Sequence, residues 1–155
     1  MDLVEPLQFL NGIHKNGVRY LLIGRQSVIA YGGPMQTMDY DIYVDKSKKN
    51  IDLLLKIAKK YDLYPSLSKE AIKKHFKFKL ENDYAIDVFY TKYFSIGEGK
   101  KVSFDELYSR RNVIKGETGV EINLPAIDDL IALKKLRSSV KDLEDIKYLK
   151  ALKKK

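Results

Sequence analysis

The sequence predicts an α/β (α+β) protein, a mixed β-sheet flanked by helices and closed by a C-terminal helical hairpin. Three observations predict it. Apolar residues recur at helical spacing over 50–61; Phe76-Lys77-Phe78-Lys79-Leu80 alternates apolar and polar with the period of a strand; and two further helical patterns follow Pro125. A chain of 155 residues has the size of one ordinary domain. It is read as a single unit over 1–155, with an α/β core over 1–124 and helices over 125–155.

Taken in order, Val4 to Lys15 has helical spacing, and after Asn16-Gly17 the short apolar run Tyr20-Leu21-Leu22-Ile23 suits a buried strand that stops at Gly24. Gln26 to Tyr31 makes a short helix ended by Gly32-Gly33-Pro34, because glycine tolerates left-handed geometry and proline cannot continue the ladder. Met38 to Val44 reads as a strand. From Asn50 to Tyr61, Ile51, Leu54, Leu55, Ile57 and Ala58 share one face of a helix, with Lys56, Lys59 and Lys60 opposite. Phe76–Leu80 and Tyr84–Tyr90 flank the turn-forming Glu81-Asn82-Asp83 as a hairpin, and Asn112–Lys115 and Val120–Leu124 flank Gly116–Gly119 as a second one. Helices Ala126 to Leu136 and Val140 to Leu152 end the chain, the first with Asp128-Asp129 where a positive helix N-terminus favours acids.

Composition narrows the chemistry. The absence of cysteine rules out disulfides and thiolate metal sites, and two histidines are too few for a histidine zinc site, so any metal must be held by oxygen. No sustained apolar stretch suggests a signal peptide or membrane span, and the expected location is cytoplasmic. The net charge of +8 is uneven: residues 1–45 hold three basic and five acidic side chains, leaving +10 on the remainder. A local acidic cluster set in a basic body suits a polyanion bridged to carboxylates by a cation; a merely solvated lysine surface is the plainer alternative.

Asp39 and Asp41 lie two apart on the expected strand, so both side chains leave one face and can reach one cation. Magnesium fits, since it prefers hard oxygen ligands shared with phosphates. Asp87 sits in the apolar strand Ala85-Ile86-Asp87-Val88-Phe89, where a charge is costly unless paired or metal-bound. The alternatives are an exposed edge strand for the first two and a salt bridge to a lysine for the third.

The run Leu22-Ile23-Gly24-Arg25-Gln26-Ser27, then Thr37-Met38-Asp39-Tyr40-Asp41-Ile42 after a gap of thirteen residues from Arg25 to Asp39, with Asp87 on a later strand, resembles the DNA polymerase beta-like nucleotidyltransferase superfamily. The resemblance implies a nucleotidyltransferase fold in which Gly24 and the following helix hold a nucleoside triphosphate. Asp39, Asp41 and Asp87 are then the catalytic and metal-binding acids, holding two magnesium ions. The end of the chain, Asp129 to Arg137 and Lys141 to Ile146, looks like that of small stand-alone members, AbiEii-type toxins and antibiotic nucleotidyltransferases, and implies that Lys134 and Arg137 face the nucleotide. Arg25 departs from the pattern, standing where glycine or serine is usual. It either pairs with a phosphate or obstructs it, and Ser27 would then supply the hydroxyl two residues late.

The implied activity is magnesium-dependent transfer of a nucleoside monophosphate from a triphosphate to a hydroxyl. The acceptor is a small molecule, an RNA or a protein, a homodimer is left open, and no membrane is expected. A degenerate nucleotide- or nucleic-acid-binding protein of toxin–antitoxin type, and a purely structural partner of another chain, are the competing readings. Arg110-Arg111 could grip an acceptor phosphate, and Tyr40, Tyr43, Tyr84, Tyr90 and Tyr93 could stack a base; solvation and simple packing are the plainer accounts of each.

Overall fold

A computed structural model describes residues 5–116, 119–137 and 139–154. Val4, part of the Gly116–Gly119 turn, and Lys155 therefore lie outside the described residues. The chain runs α1 (Glu5–Lys15), β1 (Tyr20–Ile23), α2 (Arg25–Ala30), β2 (Tyr40–Val44), α3 (Lys48–Lys60), β3 (Tyr64–Pro65), α4 (Lys69–Ile72), β4 (Lys77–Glu81) and β5 (Ala85–Phe89). It continues through β6 (Tyr93–Gly97), β7 (Lys100–Ser103), α5 (Phe104–Ser109), β8 (Asn112–Lys115), β9 (Glu121–Leu124), α6 (Ile127–Arg137) and α7 (Val140–Lys153).

A five-stranded mixed sheet in the order β1-β2-β5-β4-β3 organises these elements; β2 and β5 are parallel and the other pairs antiparallel. Alternation along the strands gives each face its own core. Ile42, Val44, Ile86 and Val88 join Phe9, Ile13, Leu54 and Ile57 of α1 and α3 on one face. Leu21 and Tyr43 pack with Val102, Phe104 and Leu107 on the other, beneath the β6–β7 hairpin and α5. A third cluster joins Val28 of α2 to Leu130, Ile131, Ile146 and Leu149, so the C-terminal hairpin is anchored on α2.

The expected helices and hairpins are present, with corrections. The strand expected from Met38 begins at Tyr40, since Met38 is 92% exposed and has no core to pack on. Helix α3 begins two residues earlier than its apolar face suggests, because the Ser47 hydroxyl caps it by accepting from the Asn50 backbone N–H. The β6–β7 hairpin, α5, β3 and α4 have no counterpart in the sequence reading. Their individual strands and helices are two to six residues long and lack a sustained apolar pattern, though Ser103 and Glu106 form a capping box that marks the start of α5.

Candidate active site

The site is built where β1, α2, β2 and β5 meet. In the sheet register Ile23 is opposite Asp41, and Asp41 is opposite Asp87. These two carboxylates therefore stand side by side on neighbouring strands, on the face away from α1 and α3. Asp39 is exposed and lies in the loop one residue before β2, not on the strand. That loop is fixed by two hydrogen bonds: the Asp39 backbone N–H donates to Thr37 Oγ1 at 3.2 Å, and Gln26 Nε2 donates to the Thr37 carbonyl at 3.1 Å. Helix α2 thereby holds the loop that presents the first acid.

Gly24 closes the other side. Its φ of 70° with ψ of −164° is a backbone region open essentially to glycine, and a Cβ there would come within 2.7 Å of Asp41 Oδ2. Glycine is thus required twice, by conformation and by the approach of the carboxylate.

The electrostatics follow from this crowding. Burial, then the charge of Asp87 and a hydrogen bond to it, then the charge of Asp39, push the Asp41 carboxyl from 3.8 to about 6; Lys77 opposes the rise. Asp87 Oδ1 is buried without a hydrogen bond, while Lys77 Nζ and Lys79 Nζ approach it at 3.7 and 3.6 Å, beyond hydrogen-bonding distance. The salt bridge to a lysine weighed for Asp87 is therefore present as a loose contact that leaves one oxygen unsatisfied. These lysines belong to the site and were not identified from the sequence. Their signal was the β4 alternation, which turns both away from Phe78 and Leu80, and Lys79 is the register partner of Asp87.

Among the described residues no three histidine or carboxylate side chains form a ready cage for a metal ion. The donors nevertheless suit a hard divalent cation. Asp87 offers an orphan oxygen, Asp41 is destabilised by neighbouring negative charge, and Asp39 is free to turn in.

The remaining expected residues are placed differently. The Arg25 side chain turns away from the Gly24 turn toward α7, where it pairs with Glu144 and reaches Asp145 Oδ1 at 3.2 Å. It does not fill the turn, and its guanidinium is committed to α7. Ser27 is fully buried and its hydroxyl donates to the Gly24 carbonyl, so it braces the turn from inside rather than offering itself to a ligand. Lys134 is buried between α6 and α7, 3.0 Å from Asp145 Oδ2 and 3.9 Å from Asp142 Oδ1. Its ammonium neutralises two buried acids. Arg137 is mostly exposed and 3.8 Å from Asp142. Arg110 holds Asp129 through two bonds of 2.9 and 3.0 Å and is not available to grip an acceptor. Of the tyrosines, Tyr43 and Tyr90 are buried with their hydroxyls donating to Thr91 and Ile72 carbonyls, as packing residues do.

The mixed sheet and its flanking helices have the nucleotidyltransferase fold, as solved structures of similar architecture show. The chain is similar to TM1012 of Thermotoga maritima, a proposed nucleotidyltransferase, with 14% identity, a TM-score of 0.62, and 96% of this chain and 90% of that one covered. It is also similar to the lincosamide antibiotic adenylyltransferase LnuA, solved with lincomycin, at 16% identity, TM-score 0.65 and 94% of each chain covered. The antibiotic-resistance factor ANT(2'')-Ia matches at 12% identity and TM-score 0.59, with 94% of this chain and 81% of that one covered. No protein-family model and no curated protein sequence matches the chain. No helix among the described residues is long and apolar enough to cross a membrane.

Proposed function

We propose that this chain is a magnesium-dependent nucleotidyltransferase that moves a nucleoside monophosphate from a triphosphate to a hydroxyl of a small-molecule acceptor. The observation that carries the reading is the pairing of Asp41 with Asp87 across β2 and β5, with Gly24 packed against Asp41. Asp39, Asp41 and Asp87 would hold the metal, which when bound neutralises charge on the phosphates and polarises the reacting centre. Arg25 is drawn away to α7 and does not stand in the Gly24 turn beside Asp41. That observation favours the active enzyme over the degenerate alternative. The acceptor hydroxyl oxygen attacks the α-phosphorus, the bond from that phosphorus to the bridging oxygen breaks, and pyrophosphate leaves. Asp87 takes the hydroxyl proton, and Lys77 and Lys79 offset negative charge beside it. LnuA and ANT(2'')-Ia, with lincomycin and adenylyl-2''-tobramycin in their structures, support a small hydroxylated acceptor.

The test is a matrix of each ribonucleoside triphosphate with and without magnesium, read by thermal shift, followed by pyrophosphate release with a panel of hydroxylated antibiotics. Magnesium and a triphosphate together should raise the melting temperature more than either alone, by the equivalent of about 2.7 kcal/mol at a hundredfold excess over Kd. A panel with no joint shift for any triphosphate would overturn the proposal. A joint shift without turnover would favour the degenerate alternative.

A further inference from the structure

The face of the sheet opposite Asp41 and Asp87 carries a second feature that the transfer reaction does not use. Where the chain leaves β2 and β5, a cavity of about 480 Å³ opens between α3, α4 and the segment after β5. That volume is in the range of small-molecule sites. Its apolar lining comes from Ile51 and Leu55 of α3, Ile72 of α4, and the rings of Phe76 and Tyr90. The Tyr90 hydroxyl donates to the Ile72 carbonyl at 2.8 Å, which fixes that wall, whereas Phe76 is left 68% exposed. A large aromatic ring left mostly exposed beside a cavity is costly in water and useful as a stacking surface.

The polar lining is strongly biased in sign. Five lysines meet two carboxylates, Asp52 and Glu70, for a net of +3. Lys48 is tied to Asp52 at 2.9 Å, and Lys69 and Lys73 also act on that carboxylate from farther off. Among the described residues Lys46, Lys69, Lys73 and Lys92 make no ion pair of their own. Lys92 Nζ lies 5.4 Å from the centroid of the Tyr93 ring. Four ammonium groups without an ion pair, around an aromatic and aliphatic lining, match a ligand that is flat and apolar at one end and anionic at the other.

We propose that this cavity binds a nucleoside phosphate, free or as a unit of single-stranded nucleic acid, with its base against Phe76 and its phosphate among Lys46, Lys69, Lys73 and Lys92. Base stacking on an exposed ring beside a basic groove is the general means by which proteins hold such units without reading their sequence. The site lies on the other side of the sheet from the carboxylates and needs no metal. It is therefore separable from the proposed transfer reaction.

The experiment uses the full chain carrying Asp41→Asn, in EDTA, so that the carboxylate site is silent. Fluorescence anisotropy follows two probes, a fluorescent adenosine monophosphate and a labelled single-stranded ten-nucleotide RNA. At least one should bind, weakened ~10-fold by Lys69→Glu with Lys73→Glu and ~10-fold by Phe76→Ala. Lys59→Glu with Lys60→Glu, in the last turn of α3 and outside the cavity lining, should have little effect. Binding of the monophosphate identifies a free nucleotide as the ligand, and binding of the RNA alone identifies the chain unit. The proposal is overturned if neither probe binds, or if the Lys59 and Lys60 reversals weaken binding as much as those at Lys69 and Lys73, which would mark a diffuse surface field. It is also overturned if Phe76→Ala leaves binding unchanged while inorganic phosphate competes fully, the behaviour of a bare anion site. Circular dichroism of each variant confirms that the fold is retained.

Discussion

Asp41→Asn separates a carboxylate gathered for a ligand from one that supports the fold. Asp41 is held at about 6 against an ordinary 3.8, so the native state keeps its proton more tightly than the unfolded chain does. Stability without ligand must then fall as pH rises from about 4 through 6, because charging the half-buried Asp41, beside Asp87 and Asp39, costs more in the fold than in water. At full value the rise corresponds to about 3 kcal/mol, and solvent reaching this half-buried group reduces it to about 1–2 kcal/mol. Asparagine keeps the shape and never carries the charge. In EDTA at pH 8 the variant should melt about 3–6 °C higher than the parent, and the difference should close below pH 4.5. With magnesium the order should reverse: the parent gains from triphosphate and the variant does not. Differential scanning fluorimetry from pH 4 to 8, with and without ligand, makes the measurement. An asparagine variant that melts lower than the parent at pH 8, and follows the same pH slope, would refute the electrostatic reasoning.

Asp87→Asn should retain triphosphate binding by thermal shift but lose turnover by about 100-fold or more in a pyrophosphate-release assay, since Asp39 and Asp41 still hold the metal while the group assigned the hydroxyl proton is gone. Gly24→Ala should destabilise by about 1–3 kcal/mol in urea titration, from a backbone region closed to alanine and a clash with Asp41 Oδ2. Lys134→Met should cost about 3 kcal/mol, because it leaves Asp142 and Asp145 buried with fewer partners. Arg25→Ala should lower stability while leaving triphosphate affinity within about threefold, as its guanidinium is committed to α7; a large loss of affinity would show that Arg25 swings back to the phosphates.

Much of the local structure was legible because it is written in short periods. The apolar run at Tyr20–Ile23, the alternation at Phe76–Leu80 and the apolar face of α3 each declare their element from a few consecutive residues. The three aspartates were legible for a related reason, since acids in or beside apolar strands carry a cost that demands a partner. What the sequence could not determine was which side chains meet across long separations. Arg25 and Glu144 are 119 residues apart, and no local pattern says that α7 returns to α2 and draws the guanidinium out of the turn. Lys134 and Arg137 share a helical face, yet one is buried against Asp145 and the other is exposed, because packing of α7 divides that face. The parallel register that sets Asp41 beside Asp87 depends on how β5 enters the sheet, and after burial it is the next cause of the raised Asp41 pKa. Residue types and spacing determined the elements and the candidate acids; the tertiary structure alone decided their neighbours, because charge and burial act through space and not along the chain.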